Sequence, residues 1–117
     1  MKISEIRDYL GAELLCGEES LEHDVASACC SDMMSDVLAY VKDQGVLITG
    51  LLNSQVIRTA NMMDMVCVVF VRSKTPTEDM IELARECGMV VMRSSLRAYE
   101  ASGILYSKGL GRCVADV

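Results

Sequence analysis

The sequence predicts an α/β domain in three layers, a mostly parallel sheet with helices on both faces. Two observations carry this. Three short runs, Val46-Leu47-Ile48-Thr49, Val66-Cys67-Val68-Val69-Phe70-Val71 and Met89-Val90-Val91-Met92, are apolar with no polar alternation, the pattern of strands buried on both faces. Each run is followed by a helical pattern, the order expected of right-handed βαβ units.

The elements follow in order. A first helix is predicted over 5–10, with Ser4 as its N-cap and Gly11 as its left-handed stop. Ala12 to Cys16 reads as a short strand closed by the polar turn Gly17-Glu18-Glu19-Ser20, and His23 to Cys30 as a strand of small residues. Ser31-Asp32 opens a helix carrying Met34, Val37, Leu38 and Val41, which Asp43-Gln44-Gly45 ends. After the strand Val46 to Thr49, Asn53 or Ser54 caps a helix with Val56, Ile57, Ala60 and Met63 on its buried face. After the strand Val66 to Val71, Thr75-Pro76-Thr77-Glu78 reads as a capping box with proline in the first turn. That helix runs through Ile81, Ala84 and Cys87 to a stop at Gly88. After the strand Met89 to Met92, Ser94 or Ser95 caps a last helix with Leu96, Tyr99, Gly103 and Leu105 or Tyr106 on one stripe. The expected organisation is one domain over 1–106 and a loose tail over 107–117.

Composition narrows the function. A chain of 117 residues can bury a core without disulfides. No apolar run approaches the ~20 residues of a membrane span, and the acidic, helical start Met1-Lys2-Ile3-Ser4-Glu5-Ile6 does not read as a signal peptide. A cytoplasmic protein is expected. The net charge of −6 disfavours nucleic acid and anionic membranes as partners. The six cysteines form no C-x-x-C pair, and Cys29-Cys30 would point to opposite faces of a strand. They read as small buried hydrophobes in a reducing compartment, with no metal site expected. Nine methionines suit core filling, and Met62 and Met65 fall near the edge of a buried stripe, where a homodimer contact is plausible.

Catalytic signals are weak. The chain has no Walker A pattern, no G-x-G-x-x-G and no nucleophile elbow. Its one histidine, His23, lies between Glu22 and Asp24 at a solvent-facing strand start. Asp32 and Asp36 are explained by a helix start as well as by magnesium binding, and Glu78 and Asp79 are first-turn acids that suit the helix dipole. In open α/β sheets ligands gather at the carboxyl ends of the strands. Those ends supply Ser31, Asp32 and Ser35; Thr49, Gly50 and Asn53; Arg72, Ser73 and Lys74; and Arg93, Ser94 and Ser95. Hydroxyls, cations and helix N-termini on one rim suit a phosphate-bearing small molecule, and equally suit ordinary capping.

The order Ser31-Asp32-Met33-Met34-Ser35-Asp36, Val46-Leu47-Ile48-Thr49-Gly50, Val66 to Val71 and Met89-Val90-Val91-Met92, with Ala12 to Gly17 as the opening, resembles a DRTGG domain. It is similar to the N-terminal domain of the HPr kinase/phosphorylase group, whose fold is implied here. The resemblance implies a regulatory or ligand-sensing module of the kind appended to phosphotransacetylases and regulatory pyrophosphatases. It also implies a tendency to dimerise, and stand-alone members are sometimes encoded beside iron-only hydrogenase components. The kinase activity of that group lies in a separate P-loop domain. The family's Thr-Gly-Asp-Arg-Thr-type turn corresponds to Thr49-Gly50-Leu51-Leu52-Asn53. Leu51 and Leu52 replace its charged pair and are expected to be exposed, as a protein contact would require.

The sequence therefore points to a non-catalytic regulatory or interaction domain, homodimeric, with a candidate ligand site of Ser31, Asp32, Thr49, Gly50, Asn53 and Ser94. No cofactor is expected beyond an unidentified nucleotide or phosphate ligand. The alternatives are a nucleotide or phosphometabolite sensor on the same rim, and an accessory factor partnering a redox-enzyme component such as an iron-only hydrogenase.

Overall fold

The computed structural model describes residues 1–40 and 45–111. Its elements are α1 (Ile3–Leu10), β1 (Glu13–Cys16), β2 (Ser27–Cys30), α2 (Met34–Tyr40), β3 (Gly45–Thr49), α3 (Ser54–Met62), β4 (Cys67–Phe70), α4 (Glu78–Glu86), β5 (Val90–Arg93) and α5 (Ala98–Ser107). A 3-10 turn at Glu18–Ser20 follows β1. The five strands form one sheet in the order β1-β5-β4-β3-β2. Strands β2 to β5 are parallel, and β1 runs antiparallel on β5. The predicted α/β fold with a mostly parallel sheet is the fold observed.

Strand alternation sorts the core into two layers. Val46, Ile48, Val69, Val71, Val90 and Met92 point to one face and pack with Ile3, Ile6 and Leu10 of α1 and Ala101 and Leu105 of α5. Leu47, Val68, Phe70 and Val91 point to the other and pack with Val37 of α2, Val56, Ile57 and Ala60 of α3, and Met80 and Ala84 of α4. All five residues of β3 and all four of β4 are buried, which is why their sequence shows no alternation. Burying each valine, leucine, isoleucine or phenylalanine among them stabilises by roughly 1.5–3 kcal/mol.

Several boundaries move, each for a local reason. Helix α1 starts at Ile3, because the Glu5 carboxylate accepts from Lys2 N at 2.8 Å; Lys2, not Ser4, is its N-cap. Gly11 does stop it, at φ 58°. Strand β2 begins only at Ser27. Val25 upstream is taken by the N-terminus, its N–H donating to Met1 O at 2.7 Å. Thr77, not Thr75, caps α4, its hydroxyl accepting from Met80 N at 3.3 Å. Proline restricts the residue before it to extended backbone, and Thr75 Oγ1 instead accepts from Arg93 Nη1 at 2.7 Å.

Arg97, not Ser94 or Ser95, caps α5, with the Glu100 carboxylate accepting from Arg97 N. Tyr99 is 89 % exposed and Tyr106 61 %, so the buried stripe of α5 is Ala101 and Leu105 rather than the tyrosine side. Leu110, beyond α5, is buried against the first core layer. Met65 is buried while Met62 is exposed, and Leu52 is exposed while Leu51 packs on the second layer. The expected helix end at Asp43-Gln44 and most of the tail, 112–117, lie outside the described residues.

Candidate ligand site at the strand ends

The parallel register of β2 and β3 pairs Cys30 with Ile48, so two residues further on Asp32 arrives beside Gly50. Its Oδ1 accepts two hydrogen bonds there, from Thr49 Oγ1 at 2.9 Å and from Gly50 N at 2.8 Å. Thr49 is 1 % exposed and also accepts, through the same Oγ1, from Leu51 N at 3.1 Å. One carboxylate and one hydroxyl thus fix the turn leaving β3. The Gly50 N–H bond, reinforced by Thr49 and by the charges of Arg72 and Lys74, outweighs partial burial and holds the Asp32 carboxyl below the ordinary aspartate range.

Arg72 and Lys74 come from the loop after β4. Arg72 and Ser73 both adopt left-handed backbone, at φ 59° and 56°, a conformation that costs a non-glycine residue roughly 1–2 kcal/mol. Tertiary hydrogen bonds hold it: Arg72 N donates to Leu96 O at 2.8 Å and Ser73 N to Ser94 O at 2.9 Å. The turned loop lays the Arg72 guanidinium against Gly50, where a Cβ would collide with Nη2. The crest of the sheet therefore carries two exposed cations beside a carboxylate whose Oδ1 already accepts two bonds.

Of the residues singled out from sequence, Asp32, Thr49 and Gly50 meet. Asn53 stands just beyond and caps α3, its side chain accepting from Val56 N at 3.2 Å. Ser31 closes a tight turn, its Oγ accepting from Met33 N at 3.0 Å. Ser94 does not join them through its side chain. It is 1 % exposed, and its Oγ donates to Leu10 O at 2.9 Å and accepts from Leu96 N at 3.2 Å, so the hydroxyl fastens α1 to the sheet. Its carbonyl nevertheless anchors the Arg72 loop. Sequence reasoning placed Arg72 and Lys74 on the rim without joining them to Gly50; a conformation set by distant backbone partners leaves no local signal.

The model of one family, the DRTGG domain, matches residues 5–107. The chain belongs to the DRTGG domain family. The fold of this DRTGG domain is similar to a crystal structure of the CBS and DRTGG domains from the regulatory region of Clostridium perfringens pyrophosphatase, complexed with its activator, diadenosine tetraphosphate. The TM-score is 0.74 at 18 % identity, over 89 % of this chain and 45 % of that one. The chain thus spans less than half the length of that neighbour. A comparison with curated proteins returns no match. Among the described residues no group of three His, Cys, Asp or Glu could hold a metal ion, and no helix is long and apolar enough to cross a membrane.

Proposed function

We propose that this DRTGG domain is a regulatory rather than a catalytic domain, and that the crest at Asp32, Thr49 and Gly50 senses a phosphate-bearing ligand, a nucleotide or a phosphometabolite. The observation that carries the reading is the Arg72 guanidinium held against Gly50 by a left-handed loop. Such a loop keeps two cations in place at a strand end, and backbone held in unfavourable regions clusters at ligand clamps. Family membership supports a regulatory role, and the pyrophosphatase neighbour is itself part of a regulatory region. Calorimetric titration with inorganic tripolyphosphate, and then with nucleotides, tests it. Binding that weakens several-fold in Arg72→Ala supports the crest; binding unchanged in that variant removes it.

A homodimer is the assembly we propose. Met33, Leu38, Leu52 and Met62 are exposed on α2, on α3 or on the turns that open them, and large apolar side chains left in water on neighbouring elements favour association. Light scattering over a dilution series checks this; a monomer at high micromolar concentration, or a dimer indifferent to Met62→Lys and Leu38→Lys together, contradicts it.

A further inference from the structure

Arg72 and Arg93 both stand at the carboxyl end of the sheet, and the structure uses them differently. Arg72 is exposed, its guanidinium against Gly50. The guanidinium of Arg93, at the end of β5, is engaged by the protein itself. Its Nη1 donates to Thr75 Oγ1 at 2.7 Å and its Nη2 to the Glu13 carboxylate, with which it is ion-paired. Sheet register brings these groups together. Glu13 of the antiparallel β1 stands opposite Arg93, which puts both side chains on one face of the sheet. On its other side Arg93 pairs with Phe70, the last residue of β4, and the crest loop departs from there.

Thr75 is one residue past Lys74 and three past Arg72. Pro76 holds it in extended backbone and is itself buried, so the threonine hydroxyl has a fixed root. The loop is gripped at two places. Upstream, the left-handed turn at Arg72 and Ser73 is tied by its N–H groups to the Leu96 and Ser94 carbonyls. Downstream, Arg93 ties Thr75. Lys74 lies between the two grips. Left-handed backbone at two successive non-glycine residues is unfavourable and persists only where its surroundings over-determine it. A guanidinium suits the downstream grip, because its rigid planar fork meets two acceptors at once. With Glu13 on one arm of the fork, the other arm is held still for Thr75.

We propose that Arg93 is a positioning residue for the crest. Braced by Glu13, it holds Thr75 and so keeps the loop in the shape that presents Arg72 and Lys74 to a phosphate-bearing ligand, which Arg93 itself does not touch. This role rests on the ligand-sensing reading of the crest. A partly exposed pair such as Arg93 with Glu13 contributes little to global stability, and Thr75 is exposed. The effect is on binding: a loop already in its bound shape loses less freedom when the ligand arrives.

The test is titration of the full chain with tripolyphosphate, alongside urea midpoints and amide hydrogen exchange without ligand. Thr75→Val removes the acceptor and keeps the branched shape. It should leave the urea midpoint nearly unchanged, speed exchange at the Ser73 and Lys74 amides several-fold, and weaken tripolyphosphate binding several-fold. Thr75→Ser, which keeps the hydroxyl, should behave as the native chain. Arg93→Met paired with Glu13→Gln, which leaves the net charge unchanged, should weaken binding about as much as Thr75→Val, and adding Thr75→Val to that pair should weaken it no further, because both break one bond. Should the Arg93 pair fold poorly, the comparison of Thr75→Val with Thr75→Ser still decides. The proposal is overturned if Thr75→Ser binds as weakly as Thr75→Val, if exchange in Thr75→Val is unchanged, or if the combined changes add. A much larger loss from the Arg93 pair overturns it too, since Arg93 would then meet the ligand itself. So does a large fall in the urea midpoint of Thr75→Val, the mark of a merely structural role. Where Arg72→Ala weakens binding and Thr75→Val does not, the crest stands and this role falls. A native chain that binds neither tripolyphosphate nor nucleotides overturns both.

Discussion

The guanidinium of Arg72 lies so close to Gly50 that a methyl group on the glycine would collide with Nη2. The neighbour that would have to give way is the far end of a flexible side chain, and Gly50 has no positive φ. Gly50→Ala should therefore leave stability within about 0.5 kcal/mol while swinging the guanidinium off the crest. The expected outcome is an unchanged urea midpoint with a several-fold loss of tripolyphosphate affinity. A large loss of stability would show that the turn itself, not the arginine, requires glycine.

Asp32 is the acceptor that ties the turn after β2 to the end of β3. Asp32→Ala leaves the Thr49 hydroxyl and the Gly50 N–H without that partner and should destabilise by about 1–2 kcal/mol. The pH dependence has a definite sign. The folded pKa is depressed, so the stabilisation is complete above the unfolded aspartate value of about 3.9 and is lost as pH falls through the folded value. Native chain and Asp32→Asn should thus differ in urea midpoint near neutral pH and converge in strong acid. A constant difference across that range would exclude ionisation as its source.

Ser94 and Ser31 are both strand-end serines in the sequence, and the structure gives them unlike weights. Ser94 is buried with two partners for its Oγ, so Ser94→Ala should cost about 1–3 kcal/mol by orphaning the Leu10 carbonyl and the Leu96 N–H. Ser31 makes its bonds in an exposed turn, and Ser31→Ala should stay within about 0.5 kcal/mol. Chemical denaturation of the two variants side by side decides this.

The five described cysteines are free thiols, and burial ranks them. Cys67 is wholly buried, and desolvation pushes its pKa far up; burial also raises those of Cys16 and Cys29. The thiolate is the reactive form, so peptide mapping after brief alkylation of the native chain should find Cys30, which is exposed, modified well ahead of Cys16, Cys29 and Cys67. Early labelling of Cys67 would mean that the sheet opens.

Much of this was legible in the sequence. The central strands announce themselves because both faces of β3 and β4 are covered, so Leu47 and Ile48, on opposite sides, are equally apolar. Asn53 as a cap and Gly11 as a stop are local devices, and local devices can be read locally. What could not be read depends on distant partners. Thr75 loses its capping role to an arginine 18 residues away. Ser94 is buried by a carbonyl on α1, and the left-handed turn at Arg72 is set by carbonyls of the segment after β5. The buried face of α5 was hidden for another reason: Tyr99, Gly103 and Tyr106 have the spacing of a buried stripe, and periodicity does not say which of two stripes meets the sheet; Ala101 and Leu105 do.

We propose that the Asp32–Thr49–Gly50 turn and the Arg72 loop act together as one ligand-sensing crest. Its most direct measurement is the shift in melting temperature of the full chain across a panel of nucleotides and condensed phosphates, repeated with Arg72→Ala. At least one phosphate-bearing ligand should raise the melting temperature by several degrees through binding the folded state alone, and Arg72→Ala should remove most of that rise. A flat response across the panel, or a rise equal in both proteins, would contradict it.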